Sequence, residues 1–222
     1  MRRLFHLPLS PYSRKVRLVL NEKRIEGVDL VIEKPWERRM DFLVLNPAAR
    51  VPVLQFDGHT ISDSVAIVEF LEEIAPEVPL LPRKPAARAE ARRLAQWFDD
   101  KFAKEVTDNL LHERVTKKLM KKGHPEGARI RAGATNIKHH LDYMGWLLER
   151  RHWLAGEDLT IADFAAAAHL SCLDYISDVD WSRAPSVKDW YARIKSRPAF
   201  RPLLSDALPG FQPPVHYADL DF

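Results

Sequence analysis

A chain of 222 residues with 46% hydrophobic content can bury a sizeable core in one or two domains, and it is too apolar to be disordered. A net charge of +3 and nine scattered histidines without metal-ligand spacing argue against nucleic acid and metal as partners. The single Cys172 excludes an internal disulfide framework. No charged-then-apolar leader or long uncharged apolar stretch is evident, which points to a reducing cytoplasm and no direct membrane insertion.

Leu4-Phe5-His6-Leu7 reads as a short strand, Pro8 to Tyr12 as a turn, and Ser13 to Leu20 as a helix by its apolar spacing. Ser10 therefore falls at a strand-to-helix junction, where the helix N-terminus favours a negative charge such as a bound thiolate. In the loop Glu33-Lys34-Pro35-Trp36-Glu37-Arg38-Arg39, a tryptophan follows a proline and is flanked by charges. Such a ring is either a protein-binding hot spot or a cover laid over a neighbouring domain.

Arg50-Val51-Pro52-Val53-Leu54 places a proline inside an apolar strand, although proline lacks the N–H of a ladder residue. A cis Val51-Pro52 bond would turn the Val51 backbone outward, towards a ligand that pairs like an extra strand. Asp63 and Ser64 open the next helix, whose free N–H groups suit a carboxylate. These residues together read as a peptide clamp.

Strand, turn, helix, proline-bearing strand, hairpin strand and helix across residues 3–76 resemble the thioredoxin-like half of the glutathione transferases. The resemblance implies that Ser10, in Ser10-Pro11-Tyr12-Ser13, donates a hydrogen bond to a glutathione thiolate. It also implies that Asp63 and Ser64 hold the γ-glutamyl group, and that Lys34, Arg38 or Arg39 pairs with the glycine carboxylate. Ser10 equally suits a helix cap, which uses the same oxygen. Tyr12 is an alternative activator or a ring packed on the partner domain.

Four prolines between Ala75 and Pro85 forbid a continuous helix and mark a linker. A long amphipathic helix follows from Arg88 to about Met120, with Leu94, Trp97, Phe98, Phe102 and Val106 inward. Gly123-His124-Pro125 stops it, and a second helix spans roughly 126–151, with Ile130, Ile137, Leu141, Met144, Leu147 and Leu148 repeating at near-heptad spacing. Thr160 and Asp163 form a capping box, with Leu159 and Phe164 as the staple. The box is a hallmark of the transferase helical domain. Pro198 separates two short closing helices. His139-His140 gives no metal site, because adjacent helix positions face apart, and Cys172 reads as core.

The expected organisation is an α/β thioredoxin-like domain at residues 1–76, a linker at 77–85, an all-α helical bundle at 86–206 and an extended tail at 207–222: a glutathione S-transferase fold. The cations of Glu113 to Lys122 suit either a solvated helix end or a patch for an acidic partner. The segment from Leu208 to Phe222 holds no lysine or arginine and is acidic, aromatic and stiffened by proline. It is either a linear motif ending in Asp219, Asp221 and Phe222 or a segment folded back over its own domain.

Ser13 to Leu18, Glu33 to Arg39, Trp97 to Phe102, His140 to Tyr143 and, above all, His216 to Phe222 resemble the glutathione-transferase-like division proteins of α-proteobacteria, nearly end to end. That resemblance implies a non-catalytic homodimer, cytoplasmic and recruited to the division site. It would bind, bundle or curve filaments of the tubulin-like FtsZ and promote constriction, with no cofactor. Trp36, Arg38, Arg39 and Glu113 are candidates for the filament side, and the tail for a second division protein. The alternative is a glutathione transferase or glutathione-dependent isomerase with a serine-type site built on Ser10, Val51, Asp63 and Ser64.

Overall fold

The computed structural model describes residues 1–220. Its N-terminal layer is a four-stranded sheet in the order β2-β1-β3-β4, from β1 (Arg2–His6), β2 (Asp29–Ile32), β3 (Val53–Phe56) and β4 (His59–Ser62). β1 runs parallel to β2 and antiparallel to β3, and β3 pairs antiparallel with β4. β3 is thus an inner strand, and Pro52 stands just ahead of it rather than within it, so no ladder hydrogen bond is forfeited.

One side of the sheet packs on α1 (Pro11–Glu22) and α3 (Ser64–Ile74), the other on α2 (Met40–Leu45) through the small cluster of Phe5, Phe42 and Val53. Each helix start has a local cause. Ser10 caps α1 with Pro11 as its first residue, and the Asp63 carboxylate accepts from the Val65 amide at 2.7 Å.

The chain re-enters helix at α4 (Pro85–Gln96) and stays helical to Leu119 through a π-helical stretch (Trp97–Thr107), α5 (Asp108–Leu111), a second π stretch (His112–Thr116) and α6 (Lys117–Leu119). Leu94, Phe98, Phe102 and Val106 are buried as expected, and Trp97 is half-buried. α7 (Gly127–Leu148) returns, burying Ile137, Leu141, Met144 and Leu147.

α8 (Ile161–Tyr175) is buried along its whole length and fixed at its start by the expected capping box. Its Asp163 also accepts from the Leu154 amide at 2.9 Å and the Trp190 indole at 3.0 Å. α9 (Pro185–Lys195) and α10 (Arg201–Leu204) close the bundle. α1 lies directly on α8, so the two layers share one core. No described helix is long and apolar enough to cross a membrane.

Candidate functional site

A cleft of about 330 Å³ opens where the two layers meet, lined by Tyr12, Asn46, Arg50, Val51, Pro52, Asp63, Ser64 and Asp99 among others. Four of the clamp residues read from the sequence therefore come together: Val51, Pro52, Asp63 and Ser64. The Val51-Pro52 bond is cis. Val51 rests on the small apolar cluster under α2, and Ser64 is buried. Asp63 caps α3 from a positive φ of 78°, a conformation that costs a non-glycine residue about 1–3 kcal/mol and persists only where its surroundings fix it.

Ser10 is not part of that lining. Its Oγ accepts from the Ser13 amide at 3.3 Å and so caps the helix with a lone pair, not with the O–H that would donate to a thiolate. Tyr12 does line the cleft, and its hydroxyl donates to the backbone carbonyl of Asp99 at 2.9 Å. Its ring meets His169 edge-on at 5.5 Å. Burial and the neighbouring Asp99 push the phenol well above its ordinary range, so it stays neutral and packs against the helical layer.

Behind this wall lies a buried polar group that the sequence reading passed over. Lys15 of α1 is ion-paired with Asp99, and His169 of α8 stands 3.7 Å from the same carboxylate. The other imidazole nitrogen of His169 bonds the Thr107 hydroxyl at 2.8 Å. Burial opposes ionisation of Asp99, yet the Lys15 ammonium prevails and holds it below the usual carboxylate range. Burial pushes His169 down against the pull of Asp99. Breaking such a pair costs about 3–5 kcal/mol, because one charge is left buried alone.

The cleft continues past Tyr12 and Val51 into a second space of about 480 Å³, walled by Asp99, Asp100 and Asp108 and bordered by Arg50 and Lys104. Lys104 pairs with Asp100 at 2.5 Å. The outer wall therefore carries more acid than base.

Trp36 sits half-buried in a 3₁₀ turn (Pro35–Glu37), and Arg38 follows it, exposed, at φ 48°. Lys34 pairs with Glu37 at 3.2 Å. Arg39 is committed within the chain, pairing with the buried Glu33 at 2.6 Å and with Asp41 at 3.0 Å.

Glu113 requires a correction. It is wholly buried, not a surface group: its carboxylate accepts from the Glu126 amide at 2.8 Å and pairs with Lys117 at 2.7 Å and Arg129 at 3.4 Å. It ties α7 to the preceding helical run and has no face for a partner.

The tail is folded back. Tyr217 is fully buried, accepts from the Arg14 guanidinium at 2.9 Å and donates to the Leu203 carbonyl at 3.3 Å. Arg14, itself buried, also donates to the Pro8 carbonyl at 2.6 Å and Ser171 at 2.9 Å, and pairs with Asp206 at 3.2 Å. Asp219 is exposed, and Asp221 and Phe222 lie outside the described residues.

Residues 9–74 match the glutathione S-transferase N-terminal domain and residues 111–205 the glutathione S-transferase C-terminal domain. FtsZ-localized protein A of Caulobacter vibrioides is 49% identical, with 100% of this chain and 98% of that protein covered. A probable maleylacetoacetate isomerase of Caenorhabditis elegans is 31% identical over 86% of this chain and 87% of its own length. Among solved structures, FzlA from C. crescentus superposes with a TM-score of 0.96 at 48% identity, covering 100% of this chain and 99% of that one. A glutathione S-transferase from Rhodospirillum rubrum F11 gives 0.97 at 52% identity, with both chains covered in full. With both halves matched in sequence and the whole chain matched in shape, this protein belongs to the glutathione S-transferase family.

Proposed function

We propose that the chain is a non-catalytic cell-division factor of this family that associates with FtsZ filaments at the division site. One observation carries the reading: the likeness to FtsZ-localized protein A runs at 49% identity over the whole chain, against 31% for the isomerase relative. As a homodimer it would present two filament-binding surfaces, and bivalency of that kind bundles or curves a polymer and promotes constriction. Trp36 and Arg38 are its filament-facing residues; Arg39 holds their loop through Glu33, and Glu113 acts only as an internal anchor. The C-terminal segment, with Asp219 and the terminal Asp221 and Phe222, engages a second division factor.

A specific observation also favours a second reading. Val51, Pro52, Asp63 and Ser64 line one cleft, as glutathione-dependent transfer or isomerisation would require. The position of Ser10 outside the lining of that cleft weighs against it. Co-sedimentation with assembled FtsZ, run beside glutathione calorimetry, separates the two readings. The adaptor predicts pelleting with FtsZ that is lost in Trp36→Ala and Arg38→Glu, and glutathione binding that is absent or no tighter than millimolar. Micromolar glutathione binding, with turnover abolished by Ser10→Ala, would establish the enzyme instead.

A further inference from the structure

The sheet has two outer edges, and they are finished differently. β4 closes one with His59 and Thr60 exposed and Ile61 packed on the core. β2 closes the other with Leu30 49% exposed and Ile32 62% exposed. An edge strand that turns aliphatic side chains to water is a template for another strand, and proteins normally guard it with lysine, proline or a covering segment. β2 contains neither lysine nor proline, and at these exposures no described segment covers it.

Its backbone is turned the same way. The Glu33 amide donates to the His6 carbonyl at 2.9 Å, continuing the parallel pairing with β1. Backbone groups alternate in direction along a strand, so Val31 also faces β1, and the N–H and C=O groups of Leu30 and Ile32 point away from the sheet. Side chains alternate too. Val31 packs on the Phe5, Phe42 and Val53 cluster beside α2, so Leu30 and Ile32 share the opposite face, next to Leu4 and His6 of β1. A strand added here would gain both backbone pairing and a continuation of that apolar face.

Charge selects between a second copy and a foreign strand. Antiparallel pairing of β2 with itself over its whole length would set Asp29 directly against Glu33, and like charges in that position destabilise a sheet. Asp29 is exposed, and although Arg3 stands across from it on β1, the two form no ion pair. A foreign strand with lysine or arginine facing Asp29 meets attraction instead. β2 also leads through Glu33, Lys34 and Pro35 into Trp36, and Arg39 pairs with Glu33 at 2.6 Å, which fastens that turn to the end of the strand.

We infer that β2 is a strand-addition edge for an extended segment of the filament protein, one with apolar residues beside Leu30 and Ile32 and a basic residue facing Asp29. The inference rests on the proposed association with FtsZ, and adds a backbone-paired contact to the side chains of Trp36 and Arg38.

The test uses the full-length chain and assembled FtsZ. Amide exchange resolved to single residues should find Leu30 and Ile32 unprotected in the free protein and protected on filaments, with Val31 protected in both. Ile32→Pro removes an outward N–H but no bond of the sheet, and Ile32→Lys places a charge on the apolar face. Both should pellet with about tenfold weaker affinity, Ile32→Lys while melting like the parent, whereas Ile32→Val should pellet normally. Asp29→Lys should weaken pelleting more at low salt than at high salt. Unchanged exchange at Leu30 and Ile32 on filaments that the parent binds, or full pelleting by both Ile32→Pro and Ile32→Lys, would overturn the edge and leave the filament reading standing. Loss of self-association in place of pelleting in Ile32→Lys would assign the edge to a second copy and overturn the inference. A parent chain that does not pellet with FtsZ would overturn both.

Discussion

Changing Tyr217 to Phe removes one oxygen and keeps the ring. In the folded chain that oxygen accepts from Arg14 at 2.9 Å and donates to the Leu203 carbonyl at 3.3 Å, all within the core. A hydrogen bond to a buried charge contributes about 1.5–3 kcal/mol, so the variant should lose about 2 kcal/mol. For a chain of this size that corresponds to a fall in Tm of roughly 4–8 °C. Arg14 keeps Ser171, Asp206 and the Pro8 carbonyl, which is why the loss stays well short of unfolding. Tyr217→Ala also opens a cavity and should cost about 3–5 kcal/mol. Urea unfolding followed by tryptophan fluorescence reads both, with Lys138→Gln, at an exposed position of α7, as a comparison that should stay within about 0.5 kcal/mol of the parent. A Tyr217→Phe midpoint equal to that of the parent would refute the placement of this segment in the core.

Acid should destabilise the chain through His6. Burial, reinforced by the charge of Arg17, pushes its pKa down to about 4. The unfolded state therefore takes up a proton first as pH falls below the ordinary histidine range, and stability declines between about pH 6.5 and 4 by up to about 3 kcal/mol. Above that window both states are neutral and the residue contributes nothing to the pH dependence. Urea midpoints across the window should flatten in His6→Gln, and an unchanged slope would reject the assignment. Glu113→Lys places a like charge beside Lys117 and Arg129 and should cost about 3–5 kcal/mol by melting, so any loss of FtsZ pelleting in that variant reflects folding. Ser10→Ala should lower stability by about 1 kcal/mol, the usual worth of a helix cap, and leave FtsZ pelleting unchanged.

The features that were legible in the sequence are those whose chemistry is local. The capping box at Thr160 and Asp163, the helix starts at Ser10 and Asp63 and the proline-rich break all act within a few residues, and each is found where local chemistry sets it. The buried charges of α1 and of Lys23, its C-cap, were not legible. Arg14, Lys15, Arg17 and Lys23 look like a solvated face, yet their carboxylate partners Asp206, Asp99 and Glu72 are far away in the chain. A signal was present: Val16, Leu18, Val19 and Leu20 cover more of the helix than one apolar stripe, so charges set among them have little access to water. Glu113 failed for the same reason. A run of charges suggested a surface, whereas convergence of Lys117, Arg129 and the Glu126 amide drew it inside. The tail was ambiguous in sequence because Tyr217 suits either a motif or a core, and only Arg14, some 200 residues earlier, decides between them.

These long-range pairs bear on how the fold could serve an adaptor. Three cations of α1 are held by the helical layer: Arg14 and Arg17 by Asp206, and Lys15 by Asp99. Opening the cleft by separating the layers would strand several buried charges at once, at a cost of about 3–5 kcal/mol for each broken pair. The cleft is therefore set in a stiff junction. A stiff junction holds the Trp36 loop on the sheet layer and the folded-back tail on the helical layer in a constant mutual orientation, because Arg14 joins Tyr217 of the tail to α1 directly. Two weak contacts held at a fixed separation reinforce one another through effective concentration, provided their partners match that geometry. The ion-paired junction behind the cleft thus supplies rigidity, and loosening it at Lys15 or Asp99 should weaken simultaneous engagement of filament and second partner more than it weakens either contact alone.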